Sequence, residues 1–364
     1  MSIQCLLILP LLWVAPAFSQ QPAIASDASV STIHLDVVVT PKNGGSPNGE
    51  LHREDFTVLD NKMPRPITSF KEVGGNEVPT EVILVIDAVN TGYSTIAYER
   101  GEISKFLHAN GGKLAHPTTI VVVTDTGTQM QNQPTTDGNA LSDSLAHYTI
   151  GLRDLRQSAG FYGAQERLQL GINALHLIIQ HEATRPGRKL VLWLSPQWPL
   201  LSGPRVELDQ KQEEGLFSTV VDFTTELRTA RITLYSIDPL GVQEGLARAT
   251  FYQQFLKGVS KPSQVQIGNM GLQVLAVQSG GLAVNSTGIA DLLQKCVDDT
   301  KAYYELTFDS VDSGKRDEYH QIQVKVPEAE LVARTRTIYY SHTDIPQTEA
   351  VQSPSFKPAV TTPQ

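Results

Sequence analysis

Residues 82–86, VILVI, form an unbroken β-branched and aliphatic run that stops at Asp87 and is followed by the turn formers Asn90, Thr91 and Gly92. A continuous apolar run of this length, bounded by turn residues, reads as a strand buried on both faces. Strands of that kind belong to sheets covered by helices on each side. Asp87 then stands at the carboxyl end of such a strand, where open α/β sheets place their ligands. Whether that turn holds a metal ion is the central functional question the sequence poses.

The segments that follow alternate in type. Helical patterns at 95–108, 139–148, 165–181 and 210–228 separate apolar strand patterns at 118–124, 190–194 and 232–237. Thr136-Asp137 caps the second of these helices, and 128–133 reads as a short strand folded back on 118–124. Further helices are expected at 246–255, 272–278 and 288–299, with a short apolar segment at 282–284. Strands alternating with helices predict a doubly wound, mostly parallel α/β domain over about residues 79–300.

The flanks are β in character. Residues 20–78 carry strand patterns at 32–40, 55–59 and 67–70, with a hairpin tip at Asp60-Asn61, and 301–342 carry three more at 303–308, 319–326 and 338–341. Neither flank has enough strands to bury a core alone. They are therefore expected to pair into one β-sandwich, with the α/β domain inserted between them. The last residues, 343–364, are rich in proline and poor in aliphatics, and read as a disordered tail.

The first residues set the expected compartment. Residues 5–14 are almost wholly apolar, and Ala17-Phe18-Ser19 places small residues at the −3 and −1 positions of a signal-peptidase site. The run is short for a bilayer, so residues 1–19 read as a cleaved secretory signal, with an uncleaved anchor as the alternative. No membrane span is expected after cleavage. One cysteine then remains, Cys296, so no intramolecular disulfide can form and the domain must stand on its apolar core. Cys296 lies in the periodic segment DLLQKCV and reads as a buried small hydrophobe. A net charge of −9 argues against nucleic acid as partner, which needs a basic footprint.

Several catalytic motifs fail on inspection. His181-Glu182 opens like a zinc-protease helix, but Arg185 stands where the second histidine ligand belongs. No G-x-S-x-G, G-x-G-x-x-G or Walker-type loop occurs. Asp87 could serve an aspartyl phosphatase of the D-x-D-x-[TV] type, and Thr91 fits that pattern. Val89 replaces its second carboxylate, so the leaving group has no proton donor. Asp87 also fits an adhesion-type metal turn, D-x-S-x-S, with Thr91 as the last hydroxyl. Again Val89 takes the middle position, and Leu194-Ser195-Pro196 ends a later strand where a further acid would be needed. One carboxylate and one hydroxyl make a poor Mg²⁺ site. The donor count favours Asp87 as a cap paired with Asn90 and the loop amides.

With these residues in place the chain resembles secreted bacterial proteins that carry a von Willebrand factor type A-related domain. The resemblance rests on HLDVVVTPKNGG, LHREDFTVLDNK, VILVIDAVNT, AQERLQLGINALHLIIQ, PGRKLVLWLSPQWPLL, ITLYSIDP, LAVQSGGLAVN, YYELTF and YHQIQVKV, and covers nearly all of residues 33–340. It implies a type A, Rossmann-like fold and, by analogy, binding of a protein or matrix ligand rather than catalysis. Val89 and Pro196 depart from the family's metal motif.

The expectation is therefore an exported, non-enzymatic binding module with a degenerate adhesion site at Asp87 and Thr91. No cofactor is expected; Mg²⁺ is the ion the pattern would take if any were held. The binding surface is expected at the top of the sheet, in loops 88–94, 125–127 and 196–204, with Asn90, Ser94 and Trp198 as contacts. Trp198 has two placements open to it, as an exposed anchor or folded back onto the domain. The rival class is a metal-dependent hydrolase or phosphatase using Asp87, which would need Asp125 or Asp238 to converge on it.

Overall fold

The computed structural model describes residues 31–42, 50–74, 78–148, 160–196, 198–199, 207–240, 250–310 and 315–341. The expected signal, residues 20–30, the 343–364 tail and the first residues of the 246–255 helix lie outside them.

The strand read from 82–86 is β5 (Thr80–Asp87), and its residues from Val82 to Asp87 are all buried. It pairs in parallel with β6 (Lys113–Thr124) on one side and β9 (Arg188–Leu194) on the other. Beyond β9 lie β10 (Ile232–Asp238) and β11 (Ala283–Asn285), also parallel. Beyond β6, β7 (Gly127–Met130) turns back antiparallel, and β8 (Thr135–Asp137) pairs antiparallel with β6 as well. The chain runs outward from β5 to β6 and then returns to β9 on its other side. The order reverses between β5 and β9, which opens a crevice at their carboxyl ends.

Parity along β5 explains the two covered faces. Ile83 and Val85 point to one cluster, with α3 (Gly160–Ala183), α4 (Gln210–Thr229) and α5 (Leu272–Gln278). Val82, Leu84 and Ile86 point to the other, with α1 (Tyr93–His108), α2 (Gly138–His147) and α6 (Ile289–Asp298). Each fully buried aliphatic side chain in these layers contributes roughly 1.5–3 kcal/mol. Asp137 caps α2 as expected, accepting from the Ala140 amide at 3.0 Å, and a further capping box, Asp209 with Gln212, starts α4. Cys296 is buried in the second cluster, and burial pushes its thiol up to about 12, so it packs as an inert hydrophobe.

The flanks interleave. One sheet runs β14 (Leu331–Arg334), β1 (Thr32–Pro41), β12 (Ala302–Asp309), β4 (Ile67–Gly74). The other runs β15 (Ile338–Ser341), β13 (Glu318–Lys325), β2 (Thr57–Asp60), β3 (Met63–Arg65). Asn61 and Lys62, both at positive φ, make the tight turn between β2 and β3. Val37 and Val324 lie in one apolar cluster drawn from both sheets and both ends of the chain. Strands β3, β8 and β14 were not expected from the sequence because three or four partly exposed residues carry no clear alternation.

This β unit sits under the amino ends of β9 and β10. Arg231, just past α4, donates to Asp36 of β1 at 2.6 Å and also to Glu305 of β12. Arg188 lies over the Tyr303 ring at 4.5 Å. The carboxyl ends of the parallel strands, where Asp87 stands, are at the opposite end of the domain.

Candidate functional site

The turn after β5 is built around Asp87. Its side chain is fully buried, and its two oxygens accept four hydrogen bonds. Oδ1 accepts from the Val89 and Asn90 amides at 3.1 and 3.0 Å. Oδ2 accepts from the Asn90 side-chain amide at 2.9 Å and from the indole of Trp193, on neighbouring β9, at 3.2 Å. A carboxylate has about four lone-pair sites, and here all four are filled by N–H donors. This is the paired, turn-capping role that the donor count favoured. Trp193 is the partner the sequence did not reveal, since it is supplied from 106 residues away.

Thr91 is buried, and its hydroxyl has no partner among the described residues. Asn90 is half-buried and committed to Asp87. Ser94 is exposed in the first turn of α1, beside Tyr93, which is 77% exposed. Tyr98, one turn on, is 46% exposed and donates its hydroxyl to the Thr287 carbonyl at 2.6 Å.

Trp198 takes the inward placement. It is 1% exposed, stacks edge-on against Trp193 with centroids 5.2 Å apart, and lies against Gly171 of α3. It is a core residue, the inward of its two open placements, so its expected role as a binding contact is corrected. Position 197 and positions 200–204 of that loop lie outside the described residues.

Among the described residues no group of three or more His, Cys, Asp or Glu side chains could hold a metal ion. Asp125 sits at the β6–β7 tip, and Asp238 accepts from the Leu240 amide at 2.9 Å. One acid the sequence reading passed over does face this crevice. Glu99, on the sheet-facing side of α1, is fully buried, with no partner for either oxygen among the described residues. Burial, and secondarily the charges of Asp87 and Asp238, hold its carboxyl well above the usual range. The i, i+3, i+7 spacing of Ile96, Glu99 and Ile103, one face of a helix, was the available signal.

Tested against a hard divalent cation, the donors of the turn itself, Glu99 aside, do not fit. The one buried carboxylate in the turn is saturated, the middle position is Val89, and a single hydroxyl is left.

No protein-family model and no curated protein sequence matches the chain. Solved structures do. Proximal thread matrix protein 1 from the mussel byssus aligns at 11% identity over 63% of this chain and 49% of that one, with a TM-score of 0.32. The pilus adhesin SpaC from Lactobacillus rhamnosus GG aligns at 10% identity over 82% of this chain and 48% of that one, with a TM-score of 0.35. The SpRpn10 VWA domain aligns at 12% identity over 60% of this chain and 95% of that one, with a TM-score of 0.29. The chain spans about half of the mussel protein and of the human coat protein Sec24c, 49% and 46%. At these scores the fold assignment rests on the strand order and the two helical layers.

Proposed function

We propose that the protein is an exported, non-enzymatic binding module that offers the carboxyl end of its parallel sheet to a protein or matrix ligand without an intervening metal ion. The observation that carries this reading is the saturation of Asp87 beside an exposed aromatic surface. The aspartate shapes the turn, and the turn starts α1 so that Tyr93, Ser94 and Tyr98 project from it. Tyrosine supplies large, rigid contact area at low entropy cost, which suits it to an interface. Export rests on the apolar 5–14 run and the small residues before position 20.

The hydrolase reading has less support. A carboxylate with four donors on it has no free lone pair for attack or ligation, and the general acid such chemistry needs is replaced by Val89.

The test is a biosensor screen against purified matrix and cell-surface proteins, in Mg²⁺ and again in EDTA. Binding should survive EDTA, and Tyr93→Ala should weaken it by about tenfold or more. In parallel, calorimetric titration of Mg²⁺ and Mn²⁺ into wild type and Thr91→Val should give only heats of dilution. EDTA-sensitive binding, or metal heat lost in Thr91→Val, would overturn the metal-free reading. Turnover of a phosphate or ester substrate that is lost in Asp87→Asn would overturn the non-enzymatic one.

A further inference from the structure

Where the β unit meets the amino end of β10, three arginines face one small cleft. Arg228 comes from the last turn of α4, Arg231 from the residue pair after it, and Arg336 from the link between β14 and β15. The cleft has a volume of about 20 Å³, is open at its mouth, and is lined also by His34, Asp36 and Thr335. That volume admits one water-sized group beyond the mouth.

The charges here do not balance. Asp36 and Glu305 both bind Arg231, and Asp36 also lies 3.8 Å from Arg188. Two carboxylates are therefore already shared between two guanidinium groups, and Arg228 and Arg336 are left over. Arg336 is 8% exposed, and among the described residues nothing accepts a hydrogen bond from its guanidinium. The Nε of Arg228 and the hydroxyl of Thr335 are buried and likewise unpartnered among those residues. Burial, then the charge of Arg228, pushes Arg336 down to about 9, which still leaves it protonated at neutral pH. A buried cation and a half-buried one that repel each other, beside an idle buried hydroxyl, are costly in an empty cleft. They are what an anion receptor requires, since the guanidinium fork matches the oxygens of a carboxylate or phosphate.

We propose that this cleft binds a compact oxyanion, a carboxylate or phosphate-type group, between Arg228 and Arg336. The site is independent of the turn at Asp87 and lies at the other end of the sheet. The anion joins the β unit to the α/β domain, because its two ligands come one from each.

Thermal unfolding of the full chain at pH 7 and fixed ionic strength tests this, with inorganic phosphate, acetate and a short blocked glutamate peptide as probes. At least one should raise the Tm saturably, by about 2–4 °C at tenfold excess over its Kd. Phosphate acting alone assigns a phosphate source; acetate and the peptide acting together assign a carboxylate source. Arg336→Met and Arg228→Met should each abolish the response. Arg336→Met should also unfold at a higher temperature than wild type without anion, because it removes an unpaired buried cation. Should Arg336→Met not fold, the half-buried Arg228→Met carries the comparison. No saturable response to any probe, or an equal response in wild type and Arg228→Met, overturns the proposal.

Discussion

Glu99 is fully buried and carries no hydrogen bond from the described residues, so ionising it inside the fold is unfavourable. Its folded-state pKa lies above the ordinary 4.5, chiefly through burial. The sign follows from linkage: below about pH 4.5 the group is protonated in both states and costs nothing. As pH rises from there through the folded pKa, the unfolded chain releases the proton first and stability falls. Glu99→Gln keeps the shape and removes the titration. The variant should match wild type near pH 4 and unfold at a higher temperature at pH 8, in melts followed by circular dichroism. Equal melting temperatures at both pH values would show that Glu99 finds a partner for its charge. Asp60 has the opposite sense. It is buried in the β unit, and although burial alone would raise its pKa, the hydrogen bond and charge of His320 bring it below the usual value. Its stabilisation is present above about pH 3.8, its ordinary value, and lost as pH falls through the folded pKa.

At the scale of elements, α3 and the end of β9 are locked together by one close approach. A methyl group on Gly171 would come within 2.7 Å of the Trp198 indole, which is itself wedged against Trp193. Neither ring has a free end that can swing away. Gly171→Ala should therefore destabilise the protein by about 1–3 kcal/mol despite its helix-favouring side chain. Trp198→Ala should cost about 3–5 kcal/mol through the cavity it leaves. Urea unfolding measures both, and a neutral Gly171→Ala would mean that the loop carrying Trp198 moves freely. The helix spacing in 165–181 was visible in the sequence, but nothing in it showed which residue α3 presents to Trp198.

For the molecule as a whole, the decisive fact is that each sheet of the β unit takes strands from both ends of the chain. β1 pairs with β12 and β14, and β2 pairs with β13. A chain ending at Lys301 would leave β1 with no hydrogen-bonded neighbour and expose the cluster around Val37 and Leu35. Limited proteolysis of that truncation should cut within residues 32–74, while the α/β part stays resistant. Protection of 32–74 in the shortened chain would mean that the amino-terminal strands fold without their partners.

Sequence pattern by itself determined the core strand 82–86, the doubly wound alternation, the cap at Asp137, and the insufficiency of either flank. Those are local properties, set by which neighbours are apolar and which side chains can reach their own backbone. It also placed Asp87 at the carboxyl end of its strand and counted too few donors there for a cation. Only the tertiary structure decided that Trp193 completes the ring of donors on Asp87, that Trp198 faces inward, and that Glu99 lies buried in the same crevice. It alone brought Arg228 and Arg336 to one cleft. Each of these depends on contacts between residues many positions apart in the chain, and hydrophobic pattern carries no information about which distant polar group will meet which.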